Sequence, residues 1–183
     1  MKKIIRLSES DLIELINEVK IRKKEKLGMG AEHDIYPSEI NPDAVMKVRN
    51  CVPEKEVPWV ETFEKYPDIF PIVIKRTKNY VCLEKLDTNK AVEEFEDMEN
   101  FLGYELTEAY SEAYWKGIVK NKDNEHFKML DDKFMGTELY EIYSRWNDLI
   151  LRFYEIIPPK FYPDLHGEQF GYSKDGKLKI LDY

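Results

Sequence analysis

The chain is 183 residues long, with 43% hydrophobic, 35% charged and 13% aromatic residues and a formal net charge of −8. That length suits one compact domain or two small lobes, the aromatic content excludes disorder, and the acidic balance repels a phosphate backbone unless positive charge is concentrated locally. No apolar run is long enough to span a bilayer and 2 cysteines are too few for a disulfide framework, so the expectation is a cytoplasmic protein that binds neither nucleic acid nor membrane.

The N-terminus starts basic but turns acidic by Glu9, without the apolar core of a secretory signal. Ser8 and Asp11 have capping-box spacing and open a helix whose Leu12, Ile13, Leu15, Ile16 and Val19 make one apolar stripe. This segment, residues 1–25, reads as an appendage docked on its own domain or on a partner, and an exposed stripe would favour self-association. The basic run 20–26 reads as a solvated helix end rather than a nucleic-acid patch.

Between residues 26 and 86 short β-compatible runs appear at 35–36, 44–48, 72–74 and 80–83, punctuated by Gly, Asn-Pro and Lys-Asn. One helix-like stretch at 54–66 carries Trp59, Val60 and Phe63. Beyond residue 87 the pattern is helical: an acidic amphipathic stretch at 91–101, then 106–119 with Tyr110 and Tyr114. The strongest helix follows, with Leu139, Ile142, Tyr143, Trp146, Leu149, Ile150, Phe153 and Tyr154 on one face and Pro158-Pro159 as its stop. Extended runs at 169–172 and 178–181 flank a hairpin turn at Asp175-Gly176. The expected fold class is α+β: a helical appendage (1–25), a small antiparallel β lobe with one helix (26–86), and a helical lobe ending in a hairpin (87–183).

Three segments can carry chemistry. Gly28-Met-Gly30 lets a backbone turn closely around a bulky phosphate ligand, or simply joins two strands. Lys47 points opposite to Met46 and Val48, either over a cleft as a point charge for phosphate or out to solvent. The terminal segment brings Asp164, His166, Glu168 and Gln169 into one turn, and Asp182 follows a β-compatible run. One carboxylate could take a proton from a hydroxyl while the other holds Mg²⁺ with the Gln169 amide oxygen. A transition-metal cluster at Asp164-x-His166-x-Glu168 is the weaker reading, because the chain has only 3 histidines and no second one nearby. His33 and His126 read as surface or structural residues.

In order and spacing these segments resemble the protein-kinase-like superfamily, which includes eukaryotic-type protein kinases and the aminoglycoside phosphotransferases. Gly28-x-Gly30-x-x-His33-x-Ile35 resembles the glycine-rich loop, with His33 at the third glycine. Val45-Met46-Lys47 resembles the Val-Ala-Ile-Lys element. Tyr80-Val-Cys-Leu-Glu84-Lys-Leu86 resembles the strand entering the hinge. Asp164-Leu-His166-Gly-Glu-Gln169 resembles the catalytic loop Asp-Leu-His-x-x-Asn, and Leu178-Lys-Ile-Leu-Asp182-Tyr183 the strand ending in the metal-binding Asp-Phe.

The resemblance covers residues 26–183 and implies transfer of the ATP γ-phosphate to a hydroxyl of a small molecule or partner protein, with Mg²⁺ as cofactor. It implies that Gly28 and Gly30 cover the phosphates and that Lys47 contacts them, held by Glu61 or Glu64, with Glu56 a third candidate. The backbone from Glu84 to Leu86 would meet adenine, Asp164 would orient and deprotonate the acceptor, and Gln169 and Asp182 would hold the ion. The departures matter too. His33 crowds the loop, Gln169 is one methylene longer than the usual Asn, and Tyr162-Pro163 replaces His-Arg. The motif stops at its second residue, so the expectation is a reduced kinase-like core whose acceptor site comes from 86–159 or from a partner. An alternative keeps the fold without the catalysis, as a pseudokinase-like nucleotide-binding or protein-interaction module; another is an accessory protein whose kinase likeness is superficial.

Overall fold

The computed structural model describes residues 8–22, 24–29, 33–38, 41–49, 59–77, 80–104, 106, 110, 125–157 and 166–181. The fold is α+β and divides into two compact units, Met1–Pro67 with Ile72–Lys85 and Asp68–Pro71 with Leu86–Tyr183.

The first unit begins with α1 (Glu9–Arg22). Its N-terminus is the capping box that Ser8 and Asp11 announce. The Asp11 carboxylate accepts from the Ser8 amide at 2.9 Å and hydroxyl at 2.6 Å, and the Asp11 amide donates to Ser8 Oγ at 3.2 Å. A five-stranded antiparallel sheet follows, in the order β1 (Gly28–Met29), β2 (His33–Pro37), β3 (Ala44–Arg49), β5 (Tyr80–Glu84), β4 (Val73–Arg76). The register sets Tyr36, Met46 and Cys82 abreast on one face and Ile35, Lys47 and Val81 abreast on the other.

Ile21 of α1 completes the core on the first of those faces with Tyr36, Ala44, Met46, Val48, Tyr80 and Cys82. At about 100° per residue Ile21 projects from the side of α1 opposite Leu12, Ile16 and Val19. The apolar stripe therefore does not dock on its own unit: Leu12, Ile13, Leu15, Ile16 and Val19 stay 43–52% exposed. The other face of the sheet takes α2 (Trp59–Lys65), which buries Trp59, Val60 and Phe63.

In the second unit α3 (Thr88–Leu102) starts at Asp87, whose carboxylate accepts from the Asn89 amide. It ends at Gly103, whose φ of +75° is the left-handed cap that glycine adopts without strain. After it come α4 (Glu125–Phe134), α5 (Tyr140–Ile156), a short 3-10 turn (Gly167–Gln169) and the hairpin β6 (Phe170–Tyr172) and β7 (Leu178–Ile180). Gly176 closes the hairpin at φ +79°. Tyr143, Trp146, Leu149, Ile150, Phe153 and Tyr154 are buried, so the apolar face read from sequence is the packed face of α5. Phe134 stacks on Tyr143 at 4.3 Å, and Trp146 and Phe170 meet at 4.5 Å.

Helix α4 is absent from the sequence-based assignment, although Phe127, Leu130 and Phe134 repeat at helical spacing and Leu130 and Phe134 are fully buried. Charged neighbours diluted the signal. The expected helix at 106–119 lies largely outside the described residues, as do 54–58 of the expected 54–66 helix.

Candidate functional site

Within the first unit, Gly28 sits in β1 opposite Ile35. Its φ is not positive and a Cβ there would meet Ile35 at an ordinary 3.8 Å. Strand geometry does not demand glycine here; what the residue leaves is space. Gly30 lies outside the described residues.

Lys47 sits in mid-β3, opposite in sense to Met46 and Val48, and is only 5% exposed. A solvent-facing strand lysine is excluded. Its ammonium lies 4.7 Å from the centre of the Trp59 ring, and His33 meets the same indole edge-on at 5.7 Å. His33 is thus a buried packing residue. Trp59 Nε1 is also buried, with no acceptor among the described residues. A buried ammonium and a buried indole N–H in one cluster form an environment that suits an anion.

The carboxylates on α2 go elsewhere. Trp59, Val60 and Phe63 take the buried side of this helix, and helical periodicity turns Glu61 and Glu64 to solvent. Glu61 pairs with Arg76 at 3.8 Å, and neither glutamate pairs with Lys47. Glu56 lies outside the described residues.

At the end of β5 the Glu84 amide donates to Ile72 O at 2.9 Å, and its carboxylate accepts from the Ile72 amide at 3.2 Å. The Lys85 amide donates to Asp43 O at 2.8 Å. Both amides are therefore committed within the protein. Burial also pushes the Cys82 thiol above its usual range, against a smaller opposing effect of Lys75, so it is a poor nucleophile.

In the second unit, Asp164 and Asp182 lie outside the described residues, but the segment 166–181 is described. The Gln169 amide donates to His166 O at 2.9 Å, and Gln169 O accepts from the Leu181 amide at 2.7 Å. These bonds hold Gln169 beside the residue that precedes Asp182. The Gln169 side-chain Oε1 is buried with no donor among the described residues. An oxygen left this way disfavours the fold unless something else coordinates it. An amide oxygen suits a hard cation such as Mg²⁺ rather than a transition metal. Among the described residues no group of three or more His, Cys, Asp or Glu could hold a metal ion, and no helix is long and apolar enough to cross a membrane.

Two glycines of this segment sit against close neighbours. A Cβ on Gly167 would stand 3.3 Å from the Phe95 ring, and one on Gly171 would stand 2.7 Å from Leu86 Cβ. Beside Gly171 the Asp87 and Tyr172 backbones exchange two hydrogen bonds of 2.8 Å, which fasten β6 to the chain just before α3.

Glu94 organises the same region, and sequence reasoning passed over it. It is 8% exposed and accepts from Tyr172 Oη at 2.5 Å, Trp146 Nε1 at 2.9 Å and Arg145 at 3.1 Å. One carboxylate thereby ties α3, α5 and β6 together. Burial raises the Tyr172 phenol pKa well above its usual value, and the bond to Glu94 raises it further. A signal was available: Glu94 stands among Ala91, Phe95 and Met98, where a carboxylate needs partners.

No protein-family model matches the sequence, and no curated protein matches it. Among solved structures the chain is similar to the gentamicin complex of APH(2'')-IIa, at 13% identity and a TM-score of 0.40, over 98% of this chain and 70% of that one. It is also similar to the streptomycin–ATP complex of APH(2'')-IIa, at 15% identity and a TM-score of 0.35, over 98% of this chain and 72% of that one.

Proposed function

We propose that this chain is a kinase-like, ATP- and Mg²⁺-dependent phosphotransferase acting on a hydroxyl of a small molecule or a partner protein. The observation that supports the reading is the buried Gln169 side-chain oxygen, which has no donor among the described residues, on a residue whose backbone is bonded to Leu181, the residue before Asp182 in sequence. On this reading Gln169 and Asp182 hold Mg²⁺, which when bound neutralises charge on the phosphates. Lys47 meets the phosphates as a desolvated point charge, and Gly28 and Gly30 leave room for them. Adenine contact falls on the backbone from Glu84 to Leu86, with the amides of Glu84 and Lys85 committed elsewhere. Asp164 orients the acceptor hydroxyl and takes its proton. Residues 26–86 are the small ATP-binding lobe, 87–183 the reduced helical lobe, and 1–25 an appendage.

A second reading is a nucleotide-binding module without transfer activity, in which α2 serves packing and Glu61 turns to Arg76. ADP formation from Mg·ATP, measured with a panel of polyols and hydroxyl-bearing peptides, separates the two. Turnover lost in Asp164→Asn supports transfer; nucleotide binding without turnover supports the second reading; no nucleotide binding overturns both.

A further inference from the structure

Helix α1 turns the wrong face outward for a helix that belongs to one molecule alone. Ile21 enters the core, and Glu14, Asn17 and Glu18, on the same side of the helix, are half-buried. Leu12, Leu15, Ile16 and Val19 form a stripe on the other side, with Ile13 at its edge, each 43–52% exposed. Five aliphatic side chains left so far open amount to a few hundred Å² in each molecule, in the range of patches (roughly 300–600 Å²) that mark interaction surfaces.

The charges beside the stripe name its occupant. The first turn carries Glu9 and Asp11, and the last turn carries Lys20 and Arg22. Helical geometry puts Glu9 and Lys20 on the Ile13 and Ile16 side of the stripe and Asp11 and Arg22 on the Leu15 side, where Asp11 also caps the helix with Ser8 and Arg22 also pairs with Glu18 at 2.9 Å. A second copy laid antiparallel would bring the acidic end of each helix against the basic end of its mate on both flanks. Leu12 would then face the level of Val19, and Leu15 that of Ile16. A parallel pair would instead set like charges together along both flanks. The geometry points to an isologous dimer of this chain, formed by antiparallel pairing of α1 through this stripe. Its area is small beside the ~1,200–2,000 Å² of a standard interface, so the dimer is weak, with a dissociation constant of roughly 10–100 μM.

Sedimentation equilibrium on the full chain between 5 and 500 μM tests this. A reversible monomer–dimer equilibrium is expected, weakened at least tenfold by Ile16→Glu, a change at an exposed position that leaves the circular dichroism spectrum unaltered. Lys20→Glu/Arg22→Glu, which keeps the Ser8–Asp11 cap, should weaken it about tenfold at low salt and less at high salt. A chain that stays monomeric to 500 μM would overturn the proposal, as would a dimer indifferent to both variants. Monomers that bind vesicles containing anionic lipid without dimerising would also overturn it, making the stripe a membrane face.

Discussion

Gln169 and Leu181 are joined by a backbone hydrogen bond of 2.7 Å, while the Gln169 side-chain oxygen lies buried without a donor among the described residues. The backbone groups are paired and, among the described residues, the side-chain oxygen is not. Such a division is expected where a side chain serves a ligand rather than the fold, and it makes stability and ligand response separable. Gln169→Met keeps the volume and removes the unpartnered polar group, so unfolding without ligand should cost the same or up to about 1 kcal/mol more than in the native chain. The Mg²⁺-dependent part of any ATP response should vanish in the same variant. Urea denaturation with and without Mg·ATP measures both.

Trp59 makes a parallel case beside Lys47. Trp59→Phe keeps an aromatic ring near the ammonium but removes a buried N–H with no acceptor among the described residues. The ligand-free chain should lose no more than about 1.5 kcal/mol, a loss of ring volume partly offset by relief of the unpaired donor. Affinity for ATP measured by calorimetry should fall several-fold. Glu61→Ala, by contrast, removes only an exposed pair with Arg76 and should change stability by less than about 1 kcal/mol, with ATP affinity unchanged.

Much of the fold was legible because hydrophobic periodicity is a local property. The stripe of α5, the alternation in β3, the Asp175-Gly176 turn and the Ser8–Asp11 cap all follow from neighbours a few residues apart. What escaped was long-range. That Glu61 would turn to Arg76 depends on which side of α2 Trp59 buries, and the role of Glu94 depends on donors contributed by α5 and β6. The stripe of α1 was visible in sequence; that Ile21, on its far side, would do the docking was not. Asp164, Asp182 and Gly30, which the sequence assigns to the site, lie outside the described residues.

Gly171 should tolerate nothing larger. Its added Cβ would overlap Leu86 at 2.7 Å, with the Asp87 carbonyl at 3.3 Å behind it. Gly171→Ala should destabilise the chain by about 1–3 kcal/mol. Adding Leu86→Ala should recover part of that loss, and a double-mutant cycle by urea denaturation reads the coupling.

Glu94 should be the most sensitive carboxylate of the second unit. Glu94→Ala strands the Arg145, Trp146 and Tyr172 donors and should cost about 3–5 kcal/mol, whereas Glu94→Gln keeps an acceptor and should cost less.

The buried phenols set a pH dependence. Tyr172, Tyr143 and Tyr110 all have raised pKa values, with burial the leading cause in each. Their contribution to stability is fully present below the unfolded value of about 10. Above it the unfolded chain releases protons that the folded chain keeps, so stability falls as pH rises toward the raised folded values. Stability measured between pH 8 and 11.5 should decline more steeply in the native chain than in Tyr172→Phe; identical slopes would contradict this assignment.

The thermal shift with Mg·ATP, compared between the native chain and Asp182→Asn, tests the proposed metal–nucleotide site most directly. At a ligand concentration about 100 times the dissociation constant, the native chain should gain about 2.7 kcal/mol, or roughly 5–10 °C in Tm. Asp182→Asn should lose that gain while keeping the ligand-free Tm within a degree or two. No shift in the native chain at millimolar Mg·ATP, or an undiminished shift in Asp182→Asn, would contradict the proposed site.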